Sequence, residues 1–312
     1  MLNRRFLRVK IMQALYAYFQ DSSRNKSQGE KELFLSVERL LDLYYYLLQI
    51  PVELMRLASD KLTQSSSLPT NANGLKKLSQ NQIAIKIQQD QKFYEAVSKK
   101  SLGWEPYHEE MSKFFRSFQK SETFLGYAEQ AGQGFKQDKQ FILDLFNDVV
   151  MSDDLLVHTF YENSIYWSLE DFEYACNLVS STIRKLKESS SASFADLQIY
   201  KDEKDDKLFI KNVYRHTIDR NDELDDIIDA KTKNWDVDRI AIIDIILMKM
   251  AIIELTEFSS IPVKVTLNEY IDISKAFSSP RSKGFINGVL DNIVMDLNNE
   301  KKIQKRGRGL LQ

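Results

Sequence analysis

This chain reads as an all-α protein. Glycine and proline are scarce, 10 and 5 of 312 residues, too few for the many tight turns of a strand-rich fold, while helix-forming Leu, Lys, Gln and Glu abound. Apolar residues recur at helical spacing in segment after segment. The hydrophobic content, 43%, is enough to bury a core in one large or two modest domains.

Each element follows from that spacing. The first helix is predicted from about Arg4 to Phe19, because Leu7, Ile11, Ala14, Leu15 and Tyr18 share a face, and Ser22 to Gly29 ends it. A long helix is expected from about Lys31, carrying Leu33, Val37, Leu40, Leu41, Tyr44, Leu47 and Leu48, with Pro51 bending or interrupting it. Polar segments at Ser65–Gly74 and Ser189–Ser193 bracket further helical material, and residues 102–134 are too mixed to bound. The segment Asp138–Trp167 recurs 68 positions later as Asp206–Trp235. The shared pairs are Asp138/Asp206, Lys139/Lys207, Phe141/Phe209, Ile142/Ile210, Asp154/Asp222, Leu156/Leu224 and Trp167/Trp235, which fit either a duplication or a common helix-turn-helix pattern. Trp235 and Val237 lead into a helix over Arg239–Glu257 that is apolar almost all round and belongs at the centre of a bundle. Thr266-Leu267-Asn268-Glu269 has capping-box spacing for a helix through Phe277, and Ser279-Pro280 suits an N-cap and first turn. Phe285, Val289, Ile293 and Leu297 then form the stripe of the last helix. Residues 301–312 are basic and expected to be disordered.

Charge and composition exclude several function classes. Lys and Arg number 43 against 45 Asp and Glu, net −2, so no global field draws the molecule onto nucleic acid and any RNA site must be a local patch. A single cysteine, Cys176, excludes an intramolecular disulfide and a thiolate zinc cluster, and its apolar neighbours mark it as a small core residue. The three histidines share no ligand spacing. The N-terminal residues lack a signal-peptide cleavage site, and the most apolar stretch, Ile240–Ile253, contains Asp244 and Lys249 and is too short to span a bilayer. A reducing cytoplasm without membrane contact is the expected compartment. No GxSxG elbow, Walker loop or HExxH occurs, and Gly284–Gly288 lacks the spacing of a dinucleotide loop, so neither catalysis nor a cofactor or metal is expected.

The N-terminal helix holds the best binding candidates. Arg4, Arg5, Arg8 and Lys10 all precede the first acid, Asp21. Arg4 and Arg8 lie one turn apart with Arg5 adjacent, so their guanidinium groups can share a ridge beside the Leu7/Ile11 stripe and reach phosphates or stack on splayed bases. A merely solvated basic helix end satisfies the same spacing.

Both ends of the chain resemble the NusB family. At the start stand Arg4-Arg5-x-x-Arg8 and Gln13-Ala14-Leu15-Tyr16; near the other end stand Trp235-x3-Arg239-Ile240-Ala241-x2-Asp244, Glu254-Leu255, Ile261-Pro262-x-Lys264-Val265, Asn268-Glu269, Ser274-Lys275-x-Phe277 and Ser282-x2-Phe285-Ile286-Asn287-Gly288-Val289-Leu290-Asp291. The resemblance covers residues 1–20 and 205–300 and leaves 21–204 as an inserted helical region. It implies a helical bundle of two subdomains, a role in transcription antitermination within the elongation complex, binding of single-stranded boxA-type RNA, and pairing with the ribosomal protein NusE. It also implies that Arg4, Arg5, Arg8, Gln13 and Tyr16 face RNA beside Lys275, Ser282, Lys283 and Phe285, with Asp238 and Asp244 as acidic contacts to NusE; Tyr16 and Phe285 equally suit core stripes. Met248-Lys249, Phe6 and Arg281 depart from the family pattern. A second reading is a NusB-like domain serving ribosomal RNA methylation, or a scaffold in ribosomal RNA biogenesis. The methylation variant needs a Gly-rich cofactor loop and a Pro-Cys motif, and neither is present.

Overall fold

The computed structural model describes residues 1–21, 23, 25–64, 71–232 and 240–310. Among them every regular element is helical. The α-helices are α1 (Arg4–Gln20), α2 (Lys26–Gln64), α3 (Ala72–Ser79), α4 (Gln82–Gln88), α5 (Gln91–Lys99), α6 (His108–Phe118), α7 (Glu122–Glu129) and α8 (Phe135–Asp144). They continue as α9 (Asp154–Asn163), α10 (Leu169–Lys185), α11 (Glu203–Asp219), α12 (Asn221–Thr232), α13 (Ile242–Glu257), α14 (Val263–Phe277) and α15 (Ser282–Asn299). No described helix is long and apolar enough to cross a membrane.

The chain divides into two compact units, one of Glu38–Ile199 with Met1, the other of Leu2–Val37 and Tyr200–Gln312. In the first unit, α3 packs on α7, α4 on α8, α6 on α9, and α10 on α8 and α9. Its core is aromatic: Phe93, Phe114, Phe118, Phe124, Phe146 and Phe172 are fully buried. Polar groups inside it are paired. Asn81 caps α4 by accepting from the amides of Ile83 and Ala84 at 3.0 and 3.1 Å, and the Tyr127 hydroxyl donates to Asp138 Oδ1 at 2.6 Å.

In the second unit α13 is the hub, packed by α1, α11, α12, α14 and α15. Ile246 through Ile253 are all buried, which answers the nearly all-round apolar sequence. The buried Lys249 ammonium reaches Asp225 and Asn221 at 2.7 and 2.6 Å, so even this interior cation is partnered.

Several boundaries differ from the sequence reading, each for a local reason. The second helix starts at Lys26 and runs through Pro51 without ending, because the buried residues on both sides of it hold the helix on course. Thr266 does not cap α14, which begins at Val263; its hydroxyl is buried and donates to Glu254 Oε1 at 2.8 Å. Nor do Ser279 and Pro280 open α15: the helix starts at Ser282, whose hydroxyl bonds those of Ser278 and Ser279 at 2.9 and 2.8 Å. The mixed stretch 102–134 contains α6, α7 and a short 3-10 turn, Glu105–Tyr107. The basic tail turns back on α13: Lys305 Nζ donates to the Phe258 carbonyl at 3.0 Å, and the Arg306 amide to that of Ser259 at 2.9 Å.

The two repeated segments occupy matching places at their starts. Asp138 and Asp206 each hold the fourth position of a helix and are buried, as are Phe141 and Phe209, Ile142 and Ile210, and Leu156 and Leu224. They then diverge, since α8 passes into a π-helical turn at Leu145–Val149 whereas α11 runs unbroken to Asp219, 17 residues in all. Trp235 lies outside the described residues.

Candidate nucleic-acid interface

The candidate site is built on α1, whose N-cap Asn3 accepts from the Phe6 amide at 2.8 Å. Leu7, Ile11 and Leu15 are fully buried, so one face of α1 is committed to the core. The three arginines of α1 meet three different environments.

Arg8 goes inward. Its side chain is 3% exposed and grips the wholly buried Glu254 of α13 through two parallel hydrogen bonds, Nε to Oε2 at 2.8 Å and Nη2 to Oε1 at 2.7 Å. Thr266 and Tyr270 donate to the same carboxylate, so each Glu254 oxygen is satisfied twice. Burial works against the guanidinium charge, but the Glu254 carboxylate outweighs it and the Arg8 pKa is raised; burial and Glu254 likewise push the Tyr270 phenol well up. The expected open ridge of three arginines is thus corrected: Arg8 is a pin between α1, α13 and α14.

Arg4 lies against the Phe209 ring, 4.8 Å from its centroid, and pairs with Asp205 and, at 3.7 Å, with Asp206. Arg5 is the open one, 47% exposed, bonding Glu269 Oε1 at 3.0 Å and Asp272 Oδ2 at 2.9 Å, with Glu269 first among the causes that raise its pKa. Asp272 in turn receives Lys275 Nζ at 2.5 Å, so Arg5 and Lys275 meet on one carboxylate. Lys275, first, and then Arg5 hold the Asp272 carboxyl below its usual range.

α15 begins seven residues after Lys275 and packs on α14. Its first turn has no acid, and no side chain caps it. Arg281 and Lys283 are exposed there and make no ion pair among the described residues. A helix N-terminus that no side chain caps, with two cations beside it, suits an anion such as phosphate. Below Arg4 and Arg5, a cavity of about 530 Å³ is floored by Ile261, Pro262 and Val265.

The remaining predicted residues divide by burial. Tyr16 is exposed and Gln13 half-buried, on the flank of α1. Phe285 is buried in the stripe of α15, and Ser282 is buried with its hydroxyl engaged by two neighbouring serines, so neither side chain faces solvent. Asp244, 4% exposed, lies inside the first turn of α13 instead of on the surface, and Asp238 is outside the described residues. Sequence reasoning quoted Glu254 and Glu269 only as motif residues, gave them no site role, and did not single out Asp272. The signal for Glu254 was present: an acid within the apolar run of α13 must find a buried cation.

Comparison with known proteins agrees with this architecture. The NusB family model matches residues 171–295, from α10 through most of α15. This stretch of the chain is similar to the NusB family. Similar proteins named Transcription antitermination protein NusB include that of Salinibacter ruber, 43% identical over 103 residues, or 33% of this chain and 64% of that protein. That of Natranaerobius thermophilus is 33% identical over 90 residues, 29% of this chain and 65% of its own, and that of Chloroherpeton thalassium 36% over 105 residues, 34% and 50%. The chain thus spans less than two thirds of the length of each of these relatives. No solved structure matches. The NusB-family match contains the carboxylates that receive Arg5 and Arg8, namely Glu254, Glu269 and Asp272, together with Lys275, Arg281 and Lys283.

Proposed function

We propose that this chain is an RNA-binding transcription antitermination factor, working in the cytoplasm within the elongation complex without a reaction of its own. It binds single-stranded boxA-type RNA, and ribosomal protein NusE adds surface to the complex. Residues 1–20 and 205–300 form the RNA-binding module, and 21–204 are an accessory helical region. The names of the relatives support this reading. The observation that supports it is the meeting of Arg5 of α1 and Lys275 of α14 on Asp272, with Arg281 and Lys283 following Lys275 in the sequence.

On this reading Arg5, Lys275 and Lys283 contact phosphates, Tyr16 and Gln13 meet bases, and Arg4 steadies the edge of the track. Arg8 acts by holding α1 in place, while Ser282 and Phe285 shape the start of α15. Contact with NusE is assigned to Asp238, ahead of α13 in the sequence; Asp238→Lys is expected to weaken it.

Anisotropy titration of a labelled boxA-type RNA, alone and with NusE, tests the assignment. Arg5→Ala and Lys283→Ala should each weaken binding and reduce the log–log salt slope by about 0.7. Unchanged affinity in both variants would remove this surface from the site.

A further inference from the structure

The Glu38–Ile199 unit carries a feature that the RNA reading leaves unused. A cavity of about 400 Å³ is walled by Tyr46, Leu102, Tyr107, Tyr166 and Trp167. The walls are stiff: Tyr46 makes edge-on contacts with Trp104, Phe160 and Trp167 at 6.1, 5.7 and 6.0 Å, and both indole N–H groups are spent on backbone carbonyls of α2, Trp104 on Tyr46 and Trp167 on Arg39, each at 3.0 Å. Ile165 stands on the rim with 95% of its surface exposed, between the exposed Tyr161 and Leu169. The Tyr161 hydroxyl accepts the Leu169 amide at 2.8 Å, which ties the rim together. Apolar side chains this exposed, gathered beside a preformed aromatic hollow, mark a contact surface.

Charge says what kind. Residues 163–167, which supply one side of the hollow, lie within a stretch, 140–183, that contains no Lys or Arg and eight Asp or Glu. Across residues 38–199 the balance is 22 acids to 17 bases, whereas the rest of the chain has 23 acids to 26 bases. Glu105 and Glu162, both exposed, flank the lining residues in sequence, and the Glu105 and Asp42 carboxylates add to burial in raising the Tyr46 phenol. Arg39, the cation in the lining, is drawn to Asp42 at 2.7 Å. Such a field repels nucleic acid and a second copy of the same face, and attracts a cation-bearing partner.

We infer that this aromatic hollow with its acidic border docks a basic polypeptide segment of another protein, one that sets an aliphatic or aromatic side chain beside Ile165 and Lys or Arg side chains against the surrounding carboxylates. Aromatic walls receive either the apolar anchor or a cation over a ring face, and the carboxylates fix the sign of the partner. This docking is independent of the RNA reading, since it uses none of the residues assigned there.

Selection of the full chain against a randomised phage library of peptides about 12 residues long tests it. The enriched peptides should be basic with apolar anchors, and Ile165→Ser or Glu162→Lys should weaken their binding about tenfold. Both positions are exposed, so circular dichroism should be unchanged in these variants. Absence of enrichment, enrichment of neutral or acidic peptides, or equal binding by Ile165→Ser would each overturn the inference. So would displacement of the peptide by single-stranded RNA, or a concentration-dependent dimer in sedimentation velocity that Ile165→Ser dissolves.

Discussion

Two arginines three positions apart on one helix have opposite duties. Arg5 sits at the surface, where its pairs with Glu269 and Asp272 compete with water and salt. Arg8 sits inside, where its charge is tolerable only because Glu254 answers it. Arg8→Met should therefore cost about 3–5 kcal/mol in urea unfolding, since it strands a buried carboxylate. The double variant Arg8→Met/Glu254→Met should lose less than Arg8→Met alone; a loss at least as large would refute the pairing argument. Arg5→Ala should change stability by less than about 1 kcal/mol while weakening RNA binding. Separating these two effects tells a pin from a contact.

At the scale of the element, two helix ends hold buried polar groups whose loss can be read directly. Asn81 caps α4 while completely buried, so Asn81→Ala should destabilise the protein by about 2 kcal/mol, at the upper end for a lost cap, as read by the thermal or urea midpoint. At the other unit's hub, Lys305 lies over the carbonyls ending α13. Burial lowers its pKa to about 8, more than Glu254 raises it. The unfolded chain then binds the extra proton between about 8 and the ordinary lysine value, so this group's contribution makes stability rise with pH across that window. A dimethyl-lysine NMR signal titrating near pH 8, absent in Lys305→Met, is the expected result; titration above pH 10 would contradict the burial of the tail.

For the molecule as a whole, the near-neutral total hides a division of charge between the Glu38–Ile199 unit and the rest. RNA affinity should therefore depend on a few cations, not on a broad field. Three phosphate contacts, from Arg5, Lys275 and Lys283, would give a log–log salt slope of about 2 in magnitude on single-stranded RNA. A slope of twice that size would show that cations outside this track take part. Deleting nothing and merely raising the salt thus reports how local the site is.

Helicity, the buried stripe of α13 and the family resemblance of the C-terminal third were legible in the sequence, because they depend on spacing and residue type along a single helix. The arginines of α1 were legible as cations but not as to destination. Whether a guanidinium meets solvent or a carboxylate depends on residues about 250 positions away brought alongside by packing, as the span from Arg8 to Glu254 illustrates. The same holds for Ser282, Phe285 and Asp244, whose burial comes from neighbours on other helices. Sequence determined which helices form and which faces are apolar; tertiary structure alone decided which charges are left for a ligand, because pairing energy falls steeply with a distance that only the folded chain defines.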